Sequence, residues 1–289
     1  MLLHQLASRL SWHNFPPNDA SPHSASRALL QSQIALHPAK LQLPFRALVT
    51  PPPSFVYTYV AWQNGFQDYS EQLVKFDTLT TWFKRVDCEK GEGTGELVMV
   101  EGKHYYACLQ YSKKIHSGFD DVLEGVLRSD EEAVILMLDG ARRFETRWRE
   151  RGWDDNMMER VKFVQRMPRG ELMEVLRRCK VMLGTFPWGD GVTTFEAFGM
   201  GLPVVVLAEK IVVEQLSVGQ IRAMGLEREL VAGSVQEYVA LCVRLGTDES
   251  WRMELGRELE RRAERYLFSE QARGEVVAEW VRFVERISR

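Results

Sequence analysis

A glycine-rich loop that links an apolar strand to a helix constrains this chain more than any other feature. The apolar run at residues 181–183 predicts a buried strand, and Gly189 and Gly191 follow it within a few positions. Thr193 and Thr194 then open a predicted helix, which ends shortly before a second apolar run. This order of strand, loop, helix and strand is typical of α/β folds with a parallel sheet.

The loop itself predicts a site for a phosphate-bearing ligand. Glycines let backbone N–H groups approach an anion closely, and the positive end of a helix faces the same point. The candidate contacts are Gly189, Gly191, Val192, Thr193 and Thr194. Glu196, expected within the first helical turn, would repel a phosphate but can accept hydrogen bonds from a ribose diol. These features together indicate a nucleotide.

Composition limits the remaining possibilities. With 289 residues, 45% of them hydrophobic, the chain can bury a large core, and its formal charge of −3 gives no electrostatic footprint for nucleic acid. The four cysteines show no paired metal spacing and are expected to be core thiols in a reducing compartment. Neither a membrane-spanning run nor a secretory leader stands out, so a cytoplasmic or nuclear location is expected, and no metal site is predicted.

The chain divides into three parts. Residues 1–54 are rich in proline, serine and histidine and are predicted to form an irregular, disordered arm, whereas residues 55–100 hold only short candidate elements. Across residues 101–289, apolar runs alternate with helical spacings through about six repeats. This alternation predicts a doubly wound parallel sheet, a Rossmann-like α/β domain whose ligand binds at the carboxyl ends of the strands.

Two further helices are predicted after the sheet. Residues 251–266 carry nearly balanced arginines and glutamates, which favours a solvated helix face. Ser269 is placed to cap a last helix. The apolar side of that helix carries Val276, Val277, Trp280, Val284 and Ile287. Such a face needs a partner, which would be another lobe or a second copy of the chain.

An ordered set of short motifs runs through the predicted domain. The set comprises Gln110 and Lys114 within Gln-Tyr-Ser-Lys-Lys-Ile-His-Ser-Gly-Phe, then Arg160-Val-Lys-Phe, Thr193 and Thr194 with Glu196, Gly201-Leu-Pro-Val-Val and Ala223-Met-Gly-Leu. In this order, residues 105–287 resemble the C-terminal nucleotide-binding lobe of the O-linked N-acetylglucosamine transferase family, inverting enzymes of the GT-B architecture. Residues 68–77 resemble the segment that leaves the first lobe of these enzymes, so residues 55–100 are interpreted as its remnant and a linker.

The resemblance implies roles for individual residues. Lys114 matches the lysine that neutralises the leaving diphosphate, with Lys113 as its rival. Gln110, at the end of a strand, is a candidate hydrogen-bond partner of the nucleotide, and the alternative is a strand-end cap. Arg166 is a candidate contact of the base or phosphate, with a solvated surface arginine as the equal alternative.

The implied reaction is direct displacement of UDP from a UDP-sugar by a serine or threonine hydroxyl of a protein. N-acetylglucosamine is the expected sugar, and neither a metal nor a cofactor is required beyond the donor. Most of the first lobe and the tetratricopeptide array of these enzymes have no counterpart in the sequence, which predicts half an enzyme. Three alternatives stay open: a GT-B enzyme with a small-molecule acceptor, a UDP-sugar-binding module without turnover, and a domain that awaits a partner lobe.

Overall fold

The computed structural model of the chain describes residues 76–85, 99–208 and 216–287. The predicted irregular arm at residues 1–54 lies outside this part, as do Cys88, the side chain of Ile287 and most of residues 55–100. The predicted α/β domain is described from residue 101 onward, apart from residues 209–215 and the last two positions.

A parallel sheet forms the centre of the described part. Its strands are β1 His104–Cys108, β2 Ala133–Leu138, β3 Val161–Val164, β4 Val181–Leu183, β5 Val204–Leu207 and β6 Val231–Ala232. They lie in the order β3-β2-β1-β4-β5-β6, and every neighbouring pair is parallel. The predicted doubly wound Rossmann-like sheet is therefore confirmed.

Helices flank the sheet and connect its strands. In the described residues they are α1 Asp120–Ser129, α2 Glu145–Glu150, α3 Asp155–Glu159, α4 Arg169–Arg177, α5 Val192–Gly199, α6 Leu216–Met224, α7 Glu227–Leu230, α8 Val235–Thr247, α9 Glu249–Ala263 and α10 Glu270–Ile287. Tight 3-10 turns occur at Ser112–Lys114, Ser117–Phe119 and Asp139–Phe144, and a π-helical turn at Glu264–Phe268 joins α9 to α10. Phe144 ends the last of these 3-10 turns and is the N-cap residue of α2.

The sheet is largely buried because most residues of its strands are apolar. β2 consists of six apolar residues, as expected of a strand covered on both faces. In β1 the hydroxyl of the fully buried Tyr106 donates to Asp130 Oδ2 at 2.7 Å, which supplies the partner that a buried phenol needs. A Cβ at Gly246 of α8 would stand 1.9 Å from that hydroxyl oxygen, so this glycine lets α8 pack directly on β1.

Ser269 caps the last helix, as predicted, and Ser234 caps α8 in the same way. Ser234 Oγ accepts from the Glu237 backbone N–H at 3.2 Å and Ser269 Oγ accepts from that of Ala272 at 3.1 Å, so both serines cap the helices that follow them. Helix α9 was expected from residue 251. It begins at Glu249 because Asp248 caps it through the Trp251 N–H at 2.9 Å.

The described cysteines are core thiols, as predicted. Cys108, Cys179 and Cys242 are buried and free of disulfides. Burial raises the pKa of each thiol because the thiolate would lose its hydration, and the pKa of Cys179 reaches about 12. These three thiols are therefore protonated and unreactive at neutral pH.

The last helix, α10, is partly covered by residues 76–85. Trp280 Nε1 donates to the Thr80 carbonyl at 2.9 Å, and its ring meets Phe76 edge-on with 4.8 Å between centroids. Val277, a member of the predicted apolar face, is 45% exposed, and Val281, which was not assigned to that face, is 44% exposed. Neither α10 nor any other described helix is both long and apolar enough to cross a bilayer.

Candidate functional site

The strand order places a crevice at the carboxyl ends of β1 and β4. Strand β1 has β2 on one side and β4 on the other, so the strand order reverses between β1 and β4. The loops that follow β1 and β4 flank this point. Residues 109–116 follow β1 and residues 184–191 follow β4. An antiparallel bridge between Ile115 and Pro187 joins the two loops. The sequence predicted a ligand at this edge of the sheet.

Lys114 lies in the crevice with its ammonium group surrounded by acceptors. Its Nζ donates to Gln110 Oε1 at 3.2 Å and to the Gly189 carbonyl at 3.1 Å, and it lies 3.5 Å from Asp190 Oδ1. Gln110 stands two residues beyond the end of β1 and is 4% exposed. Its Nε2 has no hydrogen-bond partner among the described residues. Three of the predicted site residues, Gln110, Lys114 and Gly189, are thus brought together.

Asp190 is the charged residue of this crevice that sequence reasoning missed. It is 1% exposed, and within the described part of the chain its Oδ2 has no hydrogen-bond partner. Burial raises the pKa of Asp190 to about 6, and the Lys114 ammonium and hydrogen bonds from Thr185 counter part of the rise. An aspartate between two glycines was the available signal, but the loop was interpreted only as a cradle for an anion.

Helix α5 begins beside Asp190 and is anchored from α6. Gly191 is its N-cap and Val192 its first residue, and the first backbone N–H groups of a helix have no acceptor within the helix. Ser217 Oγ of α6 donates to the Asp190 carbonyl at 2.7 Å and lies 2.9 Å from Thr194 Oγ1. Thr194 is fully buried, so its hydroxyl braces the loop, while Thr193 is partly exposed beside it.

The position of Glu196 corrects one sequence prediction. Because α5 already begins at Val192, Glu196 lies in the second turn of the helix, whereas the sequence placed it in the first. Its side chain is 11% exposed and forms an ion pair with Arg169, the first residue of α4. Burial raises the pKa of Glu196, and the charge of Arg169 counters that rise. Arg169 was not among the predicted site residues.

Arg166 and Lys113 lie at the exposed rim. Arg166 follows β3, and its guanidinium carbon stands 4.7 Å from the centre of the Tyr111 ring. Lys113 is exposed on the 3-10 turn that carries Lys114. Tyr111 and Trp188 belong to the two loops that flank the crevice, and they are 45% and 51% exposed. Exposed rings of this kind are suited to stacking against a flat base.

This arrangement combines the features that hold a diphosphate. It offers a lysine ammonium, an unpartnered amide N–H₂ group and the N-terminal end of a helix at one crevice. Among the described residues, no group of three or more histidine, cysteine, aspartate or glutamate side chains is placed to hold a metal ion.

Curated relatives match a limited stretch of the chain, and no family model matches it. A UDP-glucose:protein N-beta-glucosyltransferase of Actinobacillus pleuropneumoniae is 31% identical over 90 residues, which cover 31% of this chain and 14% of that protein. A probable UDP-N-acetylglucosamine--peptide N-acetylglucosaminyltransferase SPINDLY of Petunia hybrida is 33% identical over 76 residues, 26% of this chain and 8% of that protein. The matched stretch is thus under a sixth of either relative.

Solved structures are similar to this chain over a larger share of its length. A mutant of the Thermobaculum terrenum O-GlcNAc transferase aligns with a TM-score of 0.58 at 23% identity, and the alignment covers 66% of this chain and 37% of that one. The relatives and structural neighbours are GT-B glycosyltransferases, O-GlcNAc transferases among them. The described part of the chain therefore has the Rossmann-like fold of the C-terminal lobe of a GT-B glycosyltransferase.

Proposed function

We propose that the chain is a UDP-sugar-dependent glycosyltransferase of the O-GlcNAc transferase type that modifies protein side chains. The observation that carries this proposal is the placement of Lys114 at the crevice between β1 and β4, 3.1 Å from the Gly189 carbonyl and beside the N-terminus of α5. The unpartnered Nε2 of buried Gln110 supports it, because a buried donor without an acceptor is costly unless a ligand supplies one.

In the proposed reaction an acceptor oxygen of serine or threonine forms a bond to the anomeric carbon of the sugar. The bond between that carbon and the β-phosphate oxygen breaks, and its electron pair stays with UDP. The acceptor loses its proton to a general base, and attack from the face opposite UDP inverts the configuration. Lys114 and the N–H groups of α5 stabilise the charge that grows on the diphosphate, so we propose that the step needs no metal or other cofactor.

The choice of sugar and acceptor has two candidates. We propose N-acetylglucosamine and a hydroxyl acceptor, in line with the SPINDLY relatives and the O-GlcNAc transferase structure. The relative from Actinobacillus is a UDP-glucose:protein N-beta-glucosyltransferase, which favours glucose and a nitrogen acceptor as the second candidate. Incubation with each UDP-sugar and a peptide library, read by mass spectrometry, separates the two by added mass and by the modified residue.

Calorimetric titration tests the donor site directly. The chain is expected to bind UDP in preference to ADP, GDP and NAD, since the loop after β1 lacks the Gly-x-Gly-x-x-Gly pattern of dinucleotide sites. Lys114→Ala is expected to weaken UDP binding roughly 10- to 100-fold through loss of charged hydrogen bonds. Lys103→Ala is the matched control, because Lys103 pairs with Glu132 at the opposite end of β1.

Two outcomes of that titration would contradict the proposal. Tight NAD binding without a response to UDP would exclude a UDP-sugar site. A larger loss in Lys113→Ala than in Lys114→Ala would move the diphosphate contact to the rival lysine, which lies exposed on the same turn.

We also propose a partner surface and a location. The exposed apolar side chains of α10, Val277 and Val281, are proposed to bind another lobe or a second copy of the chain. The buried free thiols Cys108, Cys179 and Cys242 support a reducing compartment, and we propose the cytoplasm or the nucleus. Immunofluorescence of the tagged chain and fractionation of the cell test the location.

A further inference from the structure

We propose that Asp190 is a positioning residue that holds the Lys114 ammonium in the ligand-free crevice and takes up one proton from solvent when a UDP-sugar displaces it. The inference rests on the proposed donor site and adds a proton-coupled step to it.

An ammonium group has three N–H donors, and Lys114 has three acceptors around it. They are Gln110 Oε1 at 3.2 Å, the Gly189 carbonyl at 3.1 Å and Asp190 Oδ1 at 3.5 Å. A diphosphate oxygen can therefore bind Lys114 only by replacing one of them. The Asp190 contact is the longest of the three. If it were kept when the diphosphate binds, the Lys114 ammonium group would lie between two anions that repel each other. The Asp190 contact is therefore the one expected to break.

Among the described residues, Lys114 is the only cation that forms an ion pair with Asp190. Asp190 is 1% exposed, and its Oδ2 already lacks a hydrogen-bond partner in the part of the chain that the structure describes. The titratable groups that interact with it are Lys114, Cys108 of β1 and Tyr238 of α8. Burial raises the pKa of the thiol and of the phenol, so both are neutral and neither can compensate the negative charge.

Because no described cation other than Lys114 pairs with Asp190, we expect protonation to neutralise the displaced carboxylate. Burial already raises the pKa of this carboxyl to about 6 while Lys114 is next to it. Loss of the cation and arrival of an anion both raise it further. The carboxyl group then gains a proton from water near neutral pH, and the uncharged acid leaves the diphosphate without a repelling neighbour.

The sign of the pH effect follows from linkage. A ligand that raises the pKa of an acid binds more tightly when that acid is already protonated, so affinity falls as the pH rises above about 6. We expect the Kd of UDP-glucose to increase at least about tenfold between pH 6 and pH 8, with uptake of about one proton at pH 7. UDP-glucose is the probe because its diphosphate has no group that titrates in this range, unlike the terminal phosphate of UDP.

The experiment is calorimetric titration of the full chain in buffers of different ionisation enthalpy. The expected result is a binding enthalpy that changes with the buffer in proportion to the proton taken up. Asp190→Asn removes the titrating group, and we expect its Kd to be flat with pH and about tenfold lower than that of the unaltered chain at pH 8. Asp139→Asn is the control, because Asp139 is a partly exposed carboxylate that follows β2 at the same sheet edge and is expected to keep the full pH profile.

The experiment distinguishes failure of this inference from failure of the proposed function. If the chain binds UDP-glucose with an enthalpy independent of the buffer, Asp190 does not take up a proton and this inference is wrong while the donor site stands. If the chain binds no UDP-sugar at any pH, the proposed function fails and the inference fails with it. The buffer series on the unaltered chain decides the question even where Asp190→Asn does not fold.

Discussion

Glu196 is the residue whose proposed role is easiest to separate from diphosphate binding. Glu196→Gln is expected to weaken UDP binding about tenfold while the affinity for inorganic pyrophosphate stays nearly unchanged, because the proposed ligand contact of Glu196 is with the ribose diol and not with the diphosphate. Glu174→Gln is the matched control, since Glu174 also forms an ion pair with an arginine. Its partner is Arg177, and both residues lie in α4. Calorimetric titration measures both ligands. An equal loss for UDP and pyrophosphate would assign Glu196 to structural pairing with Arg169 instead.

Asp190 also makes stability depend on pH. Its folded-state pKa of about 6 lies above the ordinary value of 3.8, so the folded chain holds the proton more tightly and loses stability as the pH rises from about 4 to about 6. Asp190→Asn removes this loss and is expected to raise the free energy of unfolding by about 3 kcal/mol at pH 8. The gain should shrink towards pH 4. Denaturant unfolding at both pH values measures it, and a gain that is equal at both would contradict the buried titration.

Sequence reasoning found the residues that follow a local pattern and missed those that depend on tertiary pairing. Lys114 and Gln110 were identified by their order in a motif, and both lie in the crevice. Asp190 and Arg169 were missed because their importance comes from partners in distant segments, Lys114 and Glu196. The prediction that Glu196 lies in the first helical turn was wrong because α5 begins at Val192, one residue before the threonines. Its N-cap is Gly191, which makes no side-chain capping hydrogen bond that the sequence could indicate.

The β4 loop shows how two glycines of one element serve different purposes. A Cβ at Gly184 would stand 2.8 Å from both the Val205 carbonyl oxygen and Val206 Cγ1, so Gly184→Ala is expected to destabilise the chain by about 1–3 kcal/mol. Among the described residues, a Cβ at Gly191 would meet Leu216 Cδ1 alone, at 3.7 Å, so Gly191→Ala is expected to leave stability nearly unchanged and to weaken UDP binding. Thermal unfolding and UDP titration of both variants test the contrast. Equal stability of the two variants would contradict it.

Strands and helices could be predicted from the sequence where a run of neighbouring residues is buried. All six strands were expected, because a strand covered on both faces consists almost entirely of apolar residues. The short helices α3 and α7 and the 3-10 turns were not predicted, since segments of three to six residues carry too little periodicity. The Ser112–Lys114 turn matters most among them, because it directs Lys114 back towards Gly189.

At the scale of the whole molecule, the open face of α10 is expected to cause self-association. Val277 and Val281 lie one turn apart and are both about half exposed, while Trp280 is held by Thr80. Val277→Asp is expected to shift the sedimentation profile towards a monomer. Met253→Asp is the control, because Met253 is equally exposed on α9, and it should leave the profile unchanged. A monomeric unaltered chain at all concentrations would show that residues 76–85 already provide sufficient cover.

The chain of 289 residues is expected to bind UDP-sugar but to transfer the sugar slowly. The described residues form one lobe whose crevice is the proposed donor site, and the matched stretches span only 14% and 8% of the curated relatives. General acid-base catalysis is worth about a hundredfold to ten-thousandfold in rate, and acceptor positioning contributes several kcal/mol more. Peptide glycosylation should be measured on the same sample as sedimentation, with Lys114→Ala as the control. Rapid transfer by a monomer, abolished in that variant, would show that this chain alone builds the complete active site.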